Sequence, residues 1–162
     1  MDLINLVAVP LIARVCLVVM FPFSGLDKIV HWKAALQQAD SSFLPGGSVL
    51  LVLAIGVEFV TPVCIVLGWH DRLAAFVLAG FCAVTALLYH PFWKYPHFWS
   101  KPGDGHSHFW DFLKNFGLAG GLLLVVVGGV PSSASVVVAQ PLSSAPYSAS
   151  AVPVSAPASN AP

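Results

Sequence analysis

Two charged residues stand alone inside apolar sequence: Arg14 at the centre of Leu3 to Gly25, and Glu58 at the centre of Gly47 to Trp69. A lone charge at the middle of a membrane-spanning helix costs roughly 2.5 to 3.5 kcal/mol on insertion scales, so it faces a partner or a functional cavity. If the two stretches form an antiparallel hairpin, their midpoints share one depth. An Arg14 to Glu58 ion pair within the membrane is then expected, with snorkelling of Arg14 or a protonated Glu58 as the alternatives.

A second set of polar residues lies at the ends of apolar runs. FSGLDK carries Asp27 and Lys28, YHPFW carries His90, and DFLKN carries Asp111, Lys114 and Asn115. Four spans alternating in direction bring these three ends to one membrane face. On a helix Arg14, Val18, Phe21, Gly25 and Lys28 fall on a single side, and Asp111 and Lys114 are neighbours at i and i+3. The set makes either a solvated rim or a charge-compensated pocket. Such a pocket could hold an anionic or quinone-like head group beside a protonable His90 or Asp27.

Four of the six histidines, His90, His97, His106 and His108, fall between residues 90 and 108 together with Asp104. Imidazole and carboxylate suit copper, zinc or nickel. No recognisable ligand frame accompanies His97, His106 and His108, so an aromatic-rich interfacial loop is the first reading and a metal site the second. Cys16, Cys64 and Cys82 lie on three separate apolar stretches without CxxC spacing and read as buried small hydrophobes. No two histidines sit at matched depth in the spans, which argues against haem.

The elements that position these residues are set by hydropathy. The chain of 162 residues is 57% hydrophobic and 9% charged, with a mean hydropathy of +0.84; a soluble domain is about 25% charged. Seven basic residues balanced by seven acidic ones leave no basic stripe for nucleic acid. Apolar segments at 3–25, 47–69, 73–89 and 112–130 are each near the ~20 residues that cross a bilayer. The expected fold is therefore all-α, an integral membrane four-helix bundle occupying residues 1–130. The first segment lacks a basic start and a small-x-small cleavage site and reads as a retained helix, not a secretory signal. The five tryptophans fall at span ends or in loops, as interfacial anchors do. HDR joins the second and third segments tightly, and Ile29, Trp32 and Leu36 predict a short surface helix between Lys28 and Ala39. Pro62 invites a kink one turn after Glu58. Gly117-x-x-x-Gly121 allows close helix packing, with dimerisation through that face left open. Residues 131–162 hold nine Ser, eight Ala, six Pro and no charge, and are expected to be a disordered tail. Lys28, Lys33, Lys94 and Lys101 in the first and third connections, against Arg72 on the other side, predict both termini outside the cytoplasm.

The ordered set Ala13-Arg14, FPFSGLDKI, mid-span Glu58, HPFW and FLKNFGLAGG closely resembles the DoxX family of small bacterial four-helix membrane proteins, over residues 5 to 130. The resemblance implies an inner-membrane bundle with a redox role, in the manner of the membrane subunit of a thiosulfate:quinone oxidoreductase or of members proposed to assist thiol or superoxide defence. On that basis the chain is expected to work near the quinone pool or beside a partner oxidoreductase. Asp27, Lys28, His90, Lys114 and Asn115 would line a head-group site, with Asp111 beside them, and Arg14 with Glu58 would hold the bundle. No complete catalytic or electron-carrying motif is present in the sequence, so bound quinone or a soluble or membrane redox partner would supply the redox centre. Whether the chain is itself an enzyme stays open, as does its oligomeric state. The alternative is a non-enzymatic membrane scaffold or a small-ligand or metal-handling module. Four short spans without internal repeats argue against an independent transporter.

Overall fold

The first apolar stretch folds as two helices placed end to end, α1 (Val9–Val18) and α2 (Met20–Val30). Pro10 sits in the first turn of α1, where no backbone N–H is required. Pro22 has no N–H to give the carbonyl of Val18, and helical character lapses at Val19 between the two segments. The chain does not turn there, because the Val19 N–H still reaches the Val15 carbonyl at 2.9 Å. The structure, a computed structural model, describes residues 7–41, 45–128, 142–144, 146 and 147.

Next come α3 (Trp32–Asp40), α4 (Gly47–Leu67), α5 (Asp71–Tyr89), a 3-10 turn over Phe92–Lys94, and α6 (Asp104–Val127). Among the described residues four helical stretches are long and apolar enough to span: Val9–Val30, Gly47–Leu67, Asp71–Lys94 and Asp104–Val127. Their exterior is apolar too. Ile12, Phe23, Val30, Leu67, Phe76, Leu124 and Val127 are exposed, while Val18, Phe21, Ile65, Leu78, Cys82 and Leu122 fill the interior. An apolar outer surface of this extent is stable only where lipid is the solvent. The protein is thus an all-α integral membrane bundle of four spans.

Several ends differ from the hydropathy reading. The first helix continues past Gly25 to Val30, and the fourth begins at Asp104, eight residues ahead of the expected 112. The sequence HSHFWDFLKN is too polar to register as a span, yet it alternates polar and aromatic residues at helical spacing. A short helix is present where one was expected between Lys28 and Ala39, bounded at Trp32 and Asp40. Pro62 lies inside α4, which continues as one helix to Leu67. Cys64 and Cys82 are buried as expected, whereas Cys16 is exposed on the outer face. In the small-residue motif, Gly121 packs on Leu17 of α1, while Gly117 and Gly120 have open space beside them. Most of the expected disordered tail, with residues 129 and 130 before it, lies outside the described residues. Leu142, Ser143, Ser144, Pro146 and Tyr147 are described and lie against the bundle.

Candidate functional site

Close contact between α2 and α4 builds the site. A methyl group at Gly25 would come within 2.8 Å of the Phe59 ring, so glycine lets α2 approach α4 one turn before Lys28. That approach sets Lys28 Nζ 2.8 Å from Oε1 of Glu58. The Ser24 hydroxyl donates to the same carboxylate oxygen at 2.9 Å and accepts from Lys28 Nζ at 2.7 Å. Ser24 and Lys28 are one helical turn apart, so both can reach a single acceptor on the neighbouring helix. The Glu58 side chain is only 3% exposed. Its second oxygen, Oε2, is buried with no hydrogen-bond partner.

This cluster borders a cavity of about 260 Å³. Phe21, Leu50, Leu51, Ala54 and Phe81 give it an apolar wall, and Gln38, Thr85, Tyr89, His90 and Asn115 add polar groups. Helices α2 to α6 all contribute, and α3 closes one side through Ala35, Gln38 and Ala39. A pocket with a mainly apolar body and a few convergent polar groups is the usual form of a small-molecule site.

The family model described as DoxX matches residues 9–91. Inner membrane protein YqjF of Escherichia coli (strain K12) is 30% identical over 119 residues, which covers 74% of this chain and 82% of the relative. Inner membrane protein YphA of the same organism is 28% identical over 120 residues, covering 74% and 81%. The chain belongs to the DoxX family. No solved structure matches it.

The Arg14 to Glu58 pair expected from the sequence is absent from this DoxX bundle, because the two charges lie at different depths and each has another partner. The first helix runs on to Val30, so Lys28 is level with Glu58, while Arg14 lies beside the C-terminal end of α4. Arg14 Nη1 is 2.7 Å from Oδ2 of Asp71 and donates to the Ile65 carbonyl at 2.7 Å. Asp71 opens α5 after the short Gly68 to His70 connection, in which Gly68 and His70 both take left-handed backbone conformations. This tight reversal points the Asp71 carboxylate inward, where it is fully buried.

Ser144 completes this second charged cluster. Its N–H donates to Asp71 Oδ1 at 2.7 Å, its hydroxyl bonds to Asp71 Oδ2, and Arg14 Nη2 donates to that hydroxyl at 2.8 Å. Ser143 donates to the Gly68 carbonyl at 2.6 Å, and Tyr147 to the Val66 carbonyl at 2.6 Å. Burial pushes the Tyr147 hydroxyl above the usual phenol range.

Of the rim residues, Lys28, His90 and Asn115 line the cavity. Asp27 does not. It is 72% exposed and pairs with His31 of its own helix at 2.9 Å. Asp111 and Lys114 pair with each other at 3.0 Å on the exposed side of α6, and the Asp111 carbonyl accepts from Asn115 at 2.9 Å. Among the described residues no group of three His, Cys, Asp or Glu gathers at metal-ligand spacing. His108 instead lies 3.4 Å from His90 under a stacked Tyr95 ring, His106 accepts from the Trp110 indole at 3.1 Å, and His97 holds a positive-φ turn position. Around them Phe92 meets Phe98, Phe109 and Phe112 edge-on, closing that end of the bundle with aromatic rings.

Ser24, Asp71 and Ser144 were not singled out by the sequence. Ser24 is legible in the sequence, one helical turn before Lys28 in FSGLDK. Asp71 looked like a loop charge in HDR, and Ser144 was hidden among nine tail serines with no local feature to mark it.

Proposed function

We propose that this chain is an inner-membrane subunit that holds the head group of a quinone, or a ring of similar size and polarity, against the Ser24, Lys28 and Glu58 cluster, and so supports a partner oxidoreductase. The observation that carries the reading is the Lys28 to Glu58 ion pair bordering a cavity with a mainly apolar body and a few convergent polar groups. At about 260 Å³ the cavity is slightly smaller than the ~300–1,000 Å³ of drug-sized sites, which suits a single substituted ring. Met20, half exposed at the cavity edge, offers an apolar tail a path to lipid. Phe21 and Phe81 would lie against the ring, and the polar groups of Lys28, His90 and Asn115 would orient it.

When bound, a quinone would supply the redox chemistry that the sequence has no motif for. The inner-membrane setting follows that of YqjF and YphA. The protein's own residues bind the ring, exclude water and hold protons near it. A non-enzymatic module that retains a small ligand would use the same cavity without coupling to a redox partner.

The test is solvent extraction of the purified protein followed by chromatography for quinone. Wild-type protein is expected to retain quinone, and Ala54→Phe, which fills the cavity, is expected to lose it. Equal quinone content in the two proteins, or none in either, would overturn the reading. Retained quinone without any effect of the protein on the oxidoreductase activity of native membranes would favour the non-enzymatic module.

A further inference from the structure

We propose that His90 and His108 form a binding site for a zinc-class divalent cation, with their two Nδ1 atoms as the protein ligands and water in the remaining positions. The proposal stands apart from the head-group reading and does not depend on it.

The spacing of the two rings carries it. His90 Nδ1 and His108 Nδ1 lie 3.4 Å apart, with the rings inclined at 51°. A well-formed N–H···O hydrogen bond spans about 2.7–3.2 Å, so the pair is set wide for sharing a proton. Two nitrogens each about 2.0–2.1 Å from one tetrahedral zinc are roughly 3.3–3.4 Å apart. The gap therefore matches two ligands of one ion.

Both rings are held by local structure. His90 ends α5, where its N–H donates to the Ala86 carbonyl at 3.1 Å and its carbonyl accepts from the Phe92 N–H at 2.8 Å. Pro91 between them restricts the backbone further. His108 follows the first turn of α6, and the Tyr95 ring stacks on it with centroids 5.2 Å apart. Gly105 permits that stack, because a methyl group there would come within 2.5 Å of the Tyr95 Cβ. A preset pair of ligands loses little conformational freedom when an ion arrives.

The donor set decides the class of ion. Two imidazoles suit zinc, copper or nickel, whereas magnesium and calcium require oxygen ligands. Asp111, one turn after His108, is engaged by Lys114 at 3.0 Å. Among the described residues no third His, Cys, Asp or Glu joins the pair, and both rings are half-buried, not sealed. The other positions thus fall to water.

Calorimetric titration of zinc into the detergent-solubilised full-length protein, prepared without a histidine tag, tests this. Wild type is expected to bind one zinc per chain. His108→Phe, which keeps a ring against Tyr95, and His90→Gln should each weaken binding more than about tenfold, since even outer-shell changes at metal sites cost roughly 10–100-fold. His106→Phe should leave binding unchanged. Zinc should also raise the melting temperature of wild type but not of His108→Phe, whose unfolding without zinc shows that it is folded. No saturable zinc binding by wild type, or binding unchanged in His108→Phe or His90→Gln, would overturn the proposal. An equal loss in His106→Phe would overturn it too, by moving the site away from this pair. If one of the two ligand variants does not accumulate, the other decides.

Discussion

Arg14 and Asp71 are buried at 7% and 0% exposure, so the stability of each depends on the other. Removing one partner of a buried ion pair costs about 3–5 kcal/mol, whereas replacing both with apolar residues can be close to neutral. Arg14→Leu and Asp71→Leu should therefore each reduce membrane accumulation and thermal stability more than the double substitution does. Thermal unfolding of the three variants in one detergent measures this. A double variant no better than the worse single would show that the two charges act separately. Lys28 and Glu58 differ because their pair borders the cavity, which is why the proposed binding role rests on that pair and not on Arg14 with Asp71. The sequence showed that Arg14 and Glu58 need partners, since hydropathy alone exposes a lone charge. It did not show which partners, because that depends on helix register.

Register is decided by elements, and two devices in this bundle decide it. Gly25 lets α2 seat on Phe59, and the left-handed Gly68 and His70 fold the chain back at once into α5. The spans themselves were legible because long apolar runs leave little choice. Their ends were not, because a helix such as α6 can begin in polar, aromatic sequence that hydropathy reads as loop. The described residues Leu142, Ser143, Ser144, Pro146 and Tyr147 also bear on how the helices are held. Ser143, Ser144 and Tyr147 bond to Gly68, Asp71 and Val66, and hydrogen bonds to charged groups contribute roughly 1.5–3 kcal/mol each. Deleting residues 141–162 is expected to lower the apparent melting temperature by several degrees, and Ser144→Ala should reproduce a large part of that loss. An unchanged melting temperature in both would show that the segment only rests on the bundle. Composition marks this stretch as unable to form a core of its own. Composition could not reveal that Ser144 meets a buried Asp71.

At the scale of the whole molecule, the two charged clusters lie toward opposite ends of the bundle. Lys28 and Glu58, with the cavity, belong to the end formed by α3 and the aromatic connection after α5, and Arg14 with Asp71 belongs to the end where Leu142 to Tyr147 docks. Orientation follows from the loop charges that remain once these pairs are set aside. Lys28 is engaged by Glu58 at 2.8 Å and does not count as a loop charge. Lys33, Lys94 and Lys101 remain at the cavity end, against Arg72 at the other. Cytoplasmic loops carry the excess of Lys and Arg, so the cavity end should face the cytoplasm and both termini the periplasm. A soluble cytoplasmic partner would then meet the cavity end directly. A reporter fused after Pro162 should be active only if it functions in the periplasm, and Lys33→Gln/Lys94→Gln/Lys101→Gln should weaken or invert that signal. A cytoplasm-only signal from the unaltered sequence would reverse the orientation and move the cavity, with any partner that uses it, to the periplasmic face.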